Sequence, residues 1–157
     1  MTIKIGINGF GRIGRLSTRA AWEMDDVQIV QINDPGADAV TYAHLLTFDS
    51  VHGRWQHEAI ADGNNIVVDG VRIPITYNKA IGETDWSGCD VVIEASGKMK
   101  KTELLQAYLD QGVKRVVVSA PVKEPGILNI VMGVNDNLFD PDKHKIVTAA
   151  SCTTNSL

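Results

Sequence analysis

The sequence has few cysteines and no long apolar run. Cys89 and Cys152 are the only cysteines among 157 residues, which is too few for a disulfide framework, and they lack the paired spacing of a zinc site, so each is interpreted as a thiol and no metal is expected. No apolar run reaches the about 18 residues that cross a bilayer, and the N-terminal MTIKIGING lacks the features of a secretion signal. We therefore expect a cytoplasmic protein with no membrane partner.

Positive charge is also scarce. The chain has 15 Lys and Arg against 19 Asp and Glu, for a formal net charge of -4, and its basic residues are scattered. A scattered pattern gives no basic stripe for a phosphate backbone, so nucleic acid is not an expected partner. With 44% hydrophobic residues, a chain of this length can bury one core, and no linker-like stretch divides it.

Two strand–helix–strand patterns organise the chain. In the first, apolar residues alternate over residues 3–8, recur at helical steps at Ile13, Leu16, Ala20 and Met24, and fill a second strand over residues 27–32. The second unit comprises a strand at 90–96, a helix at 102–112 and a strand at 114–119, with a further strand at 145–150. Such alternation predicts an α/β fold, a doubly wound and mostly parallel sheet of Rossmann type.

The segment over residues 58–76 has a different character. It carries two Asp-Gly turn signals between β-rich runs, at Asp62-Gly63 and Asp69-Gly70. Asp-Gly between strands is a strong cue for a two-residue hairpin. We expect a small antiparallel hairpin insertion here.

The first strand runs into a glycine-rich turn. Gly9, Gly11 and Gly14 fit the pattern G-x-G-x-x-G between a strand and a helix. In a dinucleotide site the first glycine permits the tight turn, the second lets a pyrophosphate approach the backbone, and the third lets helix and strand pack closely. The alternative is an ordinary glycine-rich turn without a ligand.

An acidic residue follows the second strand at the spacing that a ribose contact needs. Asp34 comes twenty residues after Gly14, where a carboxylate can accept hydrogen bonds from the adenosine ribose and would repel a 2′-phosphate. This favours NAD over NADP. The alternative for Asp34 is a loop-starting Asp-Pro turn, since Pro35-Gly36 follows.

Cys152 lies where a strand hands over to the sequence SCTTN, which is typical of a helix start. The free amides of a helix N-terminus favour the thiolate, the nucleophilic form of cysteine. The alternative is a small buried hydrophobe, and this is our interpretation of Cys89.

Seven motifs together resemble those of phosphorylating glyceraldehyde-3-phosphate dehydrogenase over essentially the whole chain. They are INGFGRIGR, QINDP, LLTFDSVHGRW, EASG, VVVSAPVKE, IVMGVN and SCTTN. The resemblance implies an NAD-binding domain over residues 1–150, with residues 151–157 starting the helix of the catalytic cysteine and the remaining catalytic domain absent. Further implied cofactor contacts are the backbone at Arg12 and Ile13, with Lys79, Ser96, Gly97 and Ser119. For Lys79 the alternative is a solvated surface lysine.

The resemblance also implies a reaction. Cys152 would be the nucleophile toward glyceraldehyde 3-phosphate, with Ser151 and Thr153 beside it, and inorganic phosphate would cleave the resulting thioester to 1,3-bisphosphoglycerate in glycolysis or gluconeogenesis. Family members are tetramers about twice as long, and none of the four histidines present, His44, His52, His57 and His144, matches the family's base. The isolated chain is therefore expected to be nearly inactive. Erythrose-4-phosphate dehydrogenase and a non-catalytic NAD-binding module stay open as alternatives.

Overall fold

The computed structural model describes residues 2–156, so Met1 and Leu157, which end two of the predicted ranges, lie outside the described residues. The strands are β1 (Ile3–Asn8), β2 (Val27–Asn33), β3 (Phe48–Asp49), β4 (Gly53–Arg54), β5 (Ala59–Asp62), β6 (Asn65–Val68), β7 (Val71–Thr76), β8 (Val91–Glu94), β9 (Arg115–Val118), β10 (Leu128–Asn129) and β11 (Ile146–Thr148). The helices are α1 (Arg12–Trp22), α2 (Ala39–Thr47), α3 (Thr102–Leu109) and α4 (Cys152–Ser156), and two 3₁₀ turns span Ile81–Glu83 and Asp136–Leu138. Within this part of the chain, no helix is long and apolar enough to cross a membrane.

Nine strands form one sheet in the order β10-β11-β9-β8-β1-β2-β7-β6-β5. The pairings from β10 to β7 are all parallel, and those of β6 with β7 and β5 are antiparallel. The predicted doubly wound, mostly parallel sheet is confirmed. From β1 the chain first adds β2 and β7 on one side of it, and later adds β8 and β9 on the other side. The strand order therefore reverses at β1, and such a point is where open α/β sheets bind ligands.

The predicted antiparallel insertion is the meander of β5, β6 and β7. Both residues of its second turn have positive φ, 50° at Asp69 and 81° at Gly70, as a type I′ hairpin requires. The meander is continuous with the main sheet, because Ile75 and Thr76 of β7 pair in parallel with Ile32 and Asn33 of β2. It therefore extends the sheet instead of forming a separate unit.

Helix α1 faces the sheet with a different side from the one that its apolar residues suggest. Ile13 is 53% exposed and Met24, beyond the helix end, is 54% exposed, whereas Gly14 and Thr18 are buried. The hydroxyl of Thr18 donates to the carbonyl of Gly14 at 2.9 Å. A helix that starts directly from a tight glycine turn lies close to the sheet, so the side that begins with Gly14 faces it.

The core has two parts, one on each face of the sheet. Residues of α2 such as Leu46 pack in the first part, and residues of α3 such as Leu105 pack in the second. On β8, Val92 belongs to the second part while its neighbour Ile93 packs against the first, as the alternation of a strand requires. Both faces of the parallel sheet are thus covered, as its apolar strands predict.

Three short elements were not predicted, namely α2, the ribbon of β3 with β4, and β10. The sequence of α2 is AVTYAHLLT, and its buried residues Ala39, Tyr42, Ala43 and Leu46 do recur at helical steps. Nine residues are, however, fewer than the window of about 11 to 18 over which such a period is recognised. Its start is nevertheless marked, because the Asp38 carboxylate accepts a hydrogen bond of 2.8 Å from the amide of Thr41, as a helix N-cap does.

Candidate functional site

The predicted site residues follow the carboxyl ends of neighbouring strands, so the parallel sheet places them along one edge. In the order of the sheet, Lys79 follows β7, Asp34 follows β2, the turn from Gly9 to Gly14 follows β1, Ser96 and Gly97 follow β8, Ser119 follows β9, and Ser151 to Thr153 follow β11. Residues from distant parts of the sequence thereby form one row. This is the edge at which open α/β sheets bind their ligands.

Two glycines of the turn are required by packing. Gly9 has φ of 91°, and a Cβ atom there would lie 2.3 Å from the amide nitrogen of Ser96. A Cβ atom on Gly14 would lie 2.0 Å from the carbonyl oxygen of Gly9. Both distances are far inside van der Waals contact, so the turn can pass between β8 and α1 only without these side chains.

Gly11 has a different environment, because apart from its two chain neighbours no atom of residues 2–156 lies within 4 Å of the position that its Cβ atom would take. It is the N-cap of α1 and supplies no side-chain cap, which leaves the first amides of the helix available to a ligand. The Arg12 guanidinium turns away to the hydroxyl of Ser50 at 3.1 Å. An open space beside free amides fits a pyrophosphate group.

Asp34 joins the turn to the second strand. Its Oδ2 accepts a hydrogen bond of 2.6 Å from the amide of Phe10, and its Oδ1 accepts one of 2.7 Å from the amide of Gly36. The contact with Gly36 is the turn that the Asp-Pro-Gly sequence suggested, and the contact of Asp34 with a ribose stays a prediction. Burial and the neighbouring Asp34 carboxylate raise the pKa of the Tyr42 phenol well above its ordinary value.

A cleft of about 470 Å³ lies at this edge. Its lining includes four of the predicted residues, Gly9, Asp34, Lys79 and Ser96. Six lining residues were not predicted, namely Asn8, Pro35, Gly36, Asn78, Lys98 and Met99. The predicted residues Gly11, Arg12, Ile13, Gly14, Gly97 and Ser119 are at the same edge but do not line this cleft.

Beneath the cleft lies a buried polar network that was also not predicted. Asn8, Asn33 and Glu94 end β1, β2 and β8, and the register places Asn8 directly beside both of the others. All three are buried. Their signal in the sequence is that each of these three strands ends in Asn or Glu directly after an isoleucine.

Cys152 is the first residue of α4 and is exposed, so the predicted helix start is confirmed. The hydroxyl oxygen of Ser151 accepts a hydrogen bond of 3.0 Å from the amide of Thr154. The side-chain amide of Asn155 donates to the carbonyls of Ala149 at 2.9 Å and Ser151 at 2.8 Å. These bonds hold the loop through Ala150, whose φ of 56° is unusual for a residue with a side chain.

The cysteine loop lies beside a second cleft, of about 620 Å³, whose lining includes Val122, Ala150, Ser151 and Thr154. The two clefts share no lining residue. The structure therefore brings Cys152 to the same sheet edge as Asp34 but does not place both in one cavity.

The sequence and the fold agree with one known family. A family model described as "Glyceraldehyde 3-phosphate dehydrogenase, NAD binding domain" matches residues 3–102. The chain belongs to this family. The resemblance carried by its motifs is thus confirmed, and NAD is the cofactor of the domain that matches.

Curated relatives carry the same family name. Glyceraldehyde-3-phosphate dehydrogenase 3 of Nostoc sp. is 49% identical over 159 aligned residues, which cover 100% of this chain and 47% of that protein. The glyceraldehyde-3-phosphate dehydrogenase of Geobacillus stearothermophilus is 46% identical over the same shares. The chain therefore spans about half the length of these members of the glyceraldehyde-3-phosphate dehydrogenase family.

The histidines of this family member have partners away from the cysteine loop. His52 contacts Asp49 at 3.3 Å, His57 contacts Asp69 at 2.6 Å, and Nδ1 of His144 accepts a hydrogen bond of 2.9 Å from the amide of Asp140. The ring of His44 contacts the ring of Phe48 in a tilted arrangement with a centroid distance of 5.0 Å. The cleft beside Ser151 is lined by none of the four.

Proposed function

We propose that the chain is the cofactor-binding half of an NAD-dependent glyceraldehyde-3-phosphate dehydrogenase. Residues 1–150 form the NAD-binding domain, and residues 151–157 begin the helix that carries the nucleophile. The observation that supports this most directly is the row of site residues along one sheet edge, with Asp34 and the glycine turn toward one end and Cys152 toward the other.

The residues of the row suit the parts of a dinucleotide. The open space at Gly11 and the amides of Arg12 and Ile13 would hold the pyrophosphate. The Asp34 carboxylate lines the cleft and would accept hydrogen bonds from the adenosine ribose. Lys79, Ser96, Gly97 and Ser119 would hold the remaining parts. When bound, NAD accepts the hydride that the oxidation of the aldehyde releases.

Cys152 would carry the acyl group. Its exposed sulfur attacks the aldehyde carbon of glyceraldehyde 3-phosphate as the thiolate, and the thiohemiacetal that results is oxidised to a thioester. Inorganic phosphate then attacks the thioester carbon, so that the carbon–sulfur bond breaks, 1,3-bisphosphoglycerate leaves and the thiolate returns. Covalent attachment divides one difficult step into two. Backbone amides at the start of α4 would stabilise the oxyanion, with Ser151 and Thr153 beside the substrate.

The four histidines of this chain have partners away from Cys152, so the general base would come from the part of the longer family members that this chain does not cover. A homotetramer in the cytoplasm, acting in glycolysis or gluconeogenesis, belongs to the same proposal. The chain alone is then expected to bind NAD and to show little or no turnover.

The experiment is a titration of the chain with NAD and with NADP, followed by an assay of NADH formation with glyceraldehyde 3-phosphate and phosphate. We expect saturable binding that is tighter for NAD. Cys152→Ser is the control for the assay, and any turnover should vanish in it. Absence of NAD binding, or turnover that persists without the thiol, would contradict the proposal.

A further inference from the structure

Glu94 is a buried carboxylate beneath the cofactor cleft. It ends β8 and is 1% exposed. Among the ion pairs of residues 2–156 none includes Glu94. A buried charge without a cation is costly unless hydrogen bonds replace its water.

Four donors converge on this carboxylate. Oε1 accepts hydrogen bonds from the backbone amide of Ser96 at 2.8 Å and from the Ser96 hydroxyl. Oε2 accepts hydrogen bonds from the side-chain amide of Asn8 at 2.7 Å and from the Tyr108 hydroxyl at 2.5 Å. Each oxygen therefore has two donors, as an ionised carboxylate can accept.

The two oxygens serve different parts of the structure. Oε1 holds Ser96, which forms one wall of the 470 Å³ cleft. Oε2 holds the strand ends, because Asn8 also accepts a hydrogen bond of 2.8 Å from the side chain of Asn33. The side-chain Oδ1 of Asn33 in turn accepts one of 2.9 Å from the backbone amide of Asn78, which lines the same cleft. Glu94 is thus the point at which the Ser96 wall is fixed to the floor of the cleft.

We propose that Glu94 is a positioning residue that fixes Ser96 in the geometry that binds the cofactor. This inference rests on the proposed binding of NAD in the cleft. Glu94 does not line the cleft itself, so its effect on the cofactor passes through Ser96. Groups that lock a binding residue in place set the affinity of a site although they do not touch the ligand.

The test is Glu94→Gln, which keeps the shape of the side chain. Two of the four donors, the Ser96 amide and the Asn8 side-chain amide, cannot become acceptors, and they lie on different oxygens. The NH₂ group of Gln therefore faces a donor whichever way it is turned. If the NH₂ group faces Ser96, the hydrogen bond that holds Ser96 is lost. If it faces Asn8, the Asn8 side chain must move, and the position of Ser96 changes with it.

Isothermal titration with NAD separates positioning from folding, because it reports the number of competent sites and the Kd independently. In the free variant, Ser96 can move away from the unfavourable contact, and binding of NAD must return it to a position in which one buried donor is unsatisfied. We therefore expect Glu94→Gln to raise the Kd about tenfold, with an unchanged number of sites. The matched control is Tyr108→Phe, which removes one donor to Oε2 of Glu94 and one of the acceptors of the Asn8 side-chain amide. It keeps both donors to Oε1 and the buried ring against Trp86. It should lower the melting temperature and leave the Kd within twofold of the wild type.

Other outcomes would overturn the inference. They are a Glu94→Gln variant with an unchanged Kd, one that loses sites without a change in Kd, or a Tyr108→Phe variant that weakens binding as much as Glu94→Gln.

If Glu94→Gln does not fold, hydrogen exchange in the unmodified chain decides instead. The Ser96 amide should then be protected at least tenfold more than that of the exposed Gly97, and equal exchange would reject the contact. A wild-type chain that binds no NAD would contradict the proposed function and not this contact alone.

Discussion

The backbone amide of Phe10 donates a hydrogen bond of 2.6 Å to the Oδ2 atom of Asp34. This contact ties the glycine turn after β1 to the loop after β2, so the two parts of the site do not move independently. The turn would hold the pyrophosphate of NAD and Asp34 would hold the adjoining ribose. The residue that would select the ribose therefore also shapes the turn.

Asp34→Asn should weaken NAD binding and reduce the preference for NAD over NADP. Asn can replace only one of the two acceptor oxygens that bind Phe10 and Gly36, and it carries no charge to repel a 2′-phosphate. We expect the Kd for NAD to rise about tenfold, as for a lost hydrogen bond to a charged group. Titrations with both cofactors measure the change in their ratio.

Asp38→Asn is the matched control for this substitution. Asp38 caps α2 through one oxygen, which accepts from Thr41, and Asn caps helices about as well as Asp does. The control should bind both cofactors like the wild type. An unchanged ratio of NAD to NADP affinity in Asp34→Asn would show that Asp34 does not select the cofactor.

Gly11→Ala should weaken the binding of NAD with little effect on stability, whereas Gly14→Ala should lower stability. Gly11 has φ of -67° and ψ of -164°, which alanine adopts readily, and its Cβ atom would lie in open space. We expect Gly11→Ala to change the free energy of unfolding by less than about 1 kcal/mol and to weaken NAD binding at least tenfold. Gly14→Ala should lower the free energy of unfolding by about 3 kcal/mol, because its Cβ atom would overlap the Gly9 carbonyl oxygen.

Urea unfolding and NAD titration of both variants check this prediction. A Gly11→Ala variant with the affinity of the wild type would mean that no ligand group approaches Gly11, and the glycine turn would then be only structural. A stable Gly14→Ala variant would instead contradict the close approach of Gly14 to the Gly9 carbonyl oxygen.

Features that depend on the local sequence pattern could be predicted, and features that depend on how distant segments of the chain pack together could not. The parallel sheet, the glycine turn and the helix start at Cys152 follow from the apolar period and from turn residues. The buried side of α1 was not predictable from hydrophobicity, because the short distance between Gly14 and the sheet decides it. The network of Asn8, Asn33 and Glu94 arises only when the register aligns three strand ends.

Alkylation should distinguish the two thiols. Cys152 is exposed, whereas Cys89 is 4% exposed and burial raises its pKa to about 11. At pH 8 only about one Cys89 thiol in a thousand would be ionised, and the reagent reacts with the thiolate. We expect iodoacetamide to label Cys152 at least tenfold faster, as measured by mass spectrometry of peptides. Comparable rates of alkylation of Cys152 and Cys89 in the folded chain would contradict this prediction. As a control, the two cysteines should react at similar rates in the chain unfolded by urea.

Cys89 should also make the stability of the chain depend on alkaline pH. Its thiol has an ordinary pKa of 9.0, which burial first, and then the charges of Asp85 and Asp90, raise to about 11 in the folded chain. Below pH 9 the thiol is protonated in both states and contributes no pH dependence. Between pH 9 and 11 the unfolded chain releases the proton while the folded chain keeps it, so the free energy of unfolding falls, by up to about 3 kcal/mol.

Tyr42 and Tyr108 have raised pKa values as well, so they also lower the free energy of unfolding at high pH. The part of this decrease that is due to Cys89 must therefore be measured as a difference between two proteins. Cys89→Ala removes the titrating group and leaves both tyrosines in place. Urea unfolding of the wild type and of this variant, from pH 8 to 11, gives two curves. We expect Cys89→Ala to be the less stable protein at pH 8, because the missing sulfur leaves a gap beside Trp86, and the two curves to converge as the pH rises. Parallel curves would mean that the Cys89 thiol ionises alike in the folded and unfolded chain, and that the space around Trp86 admits water.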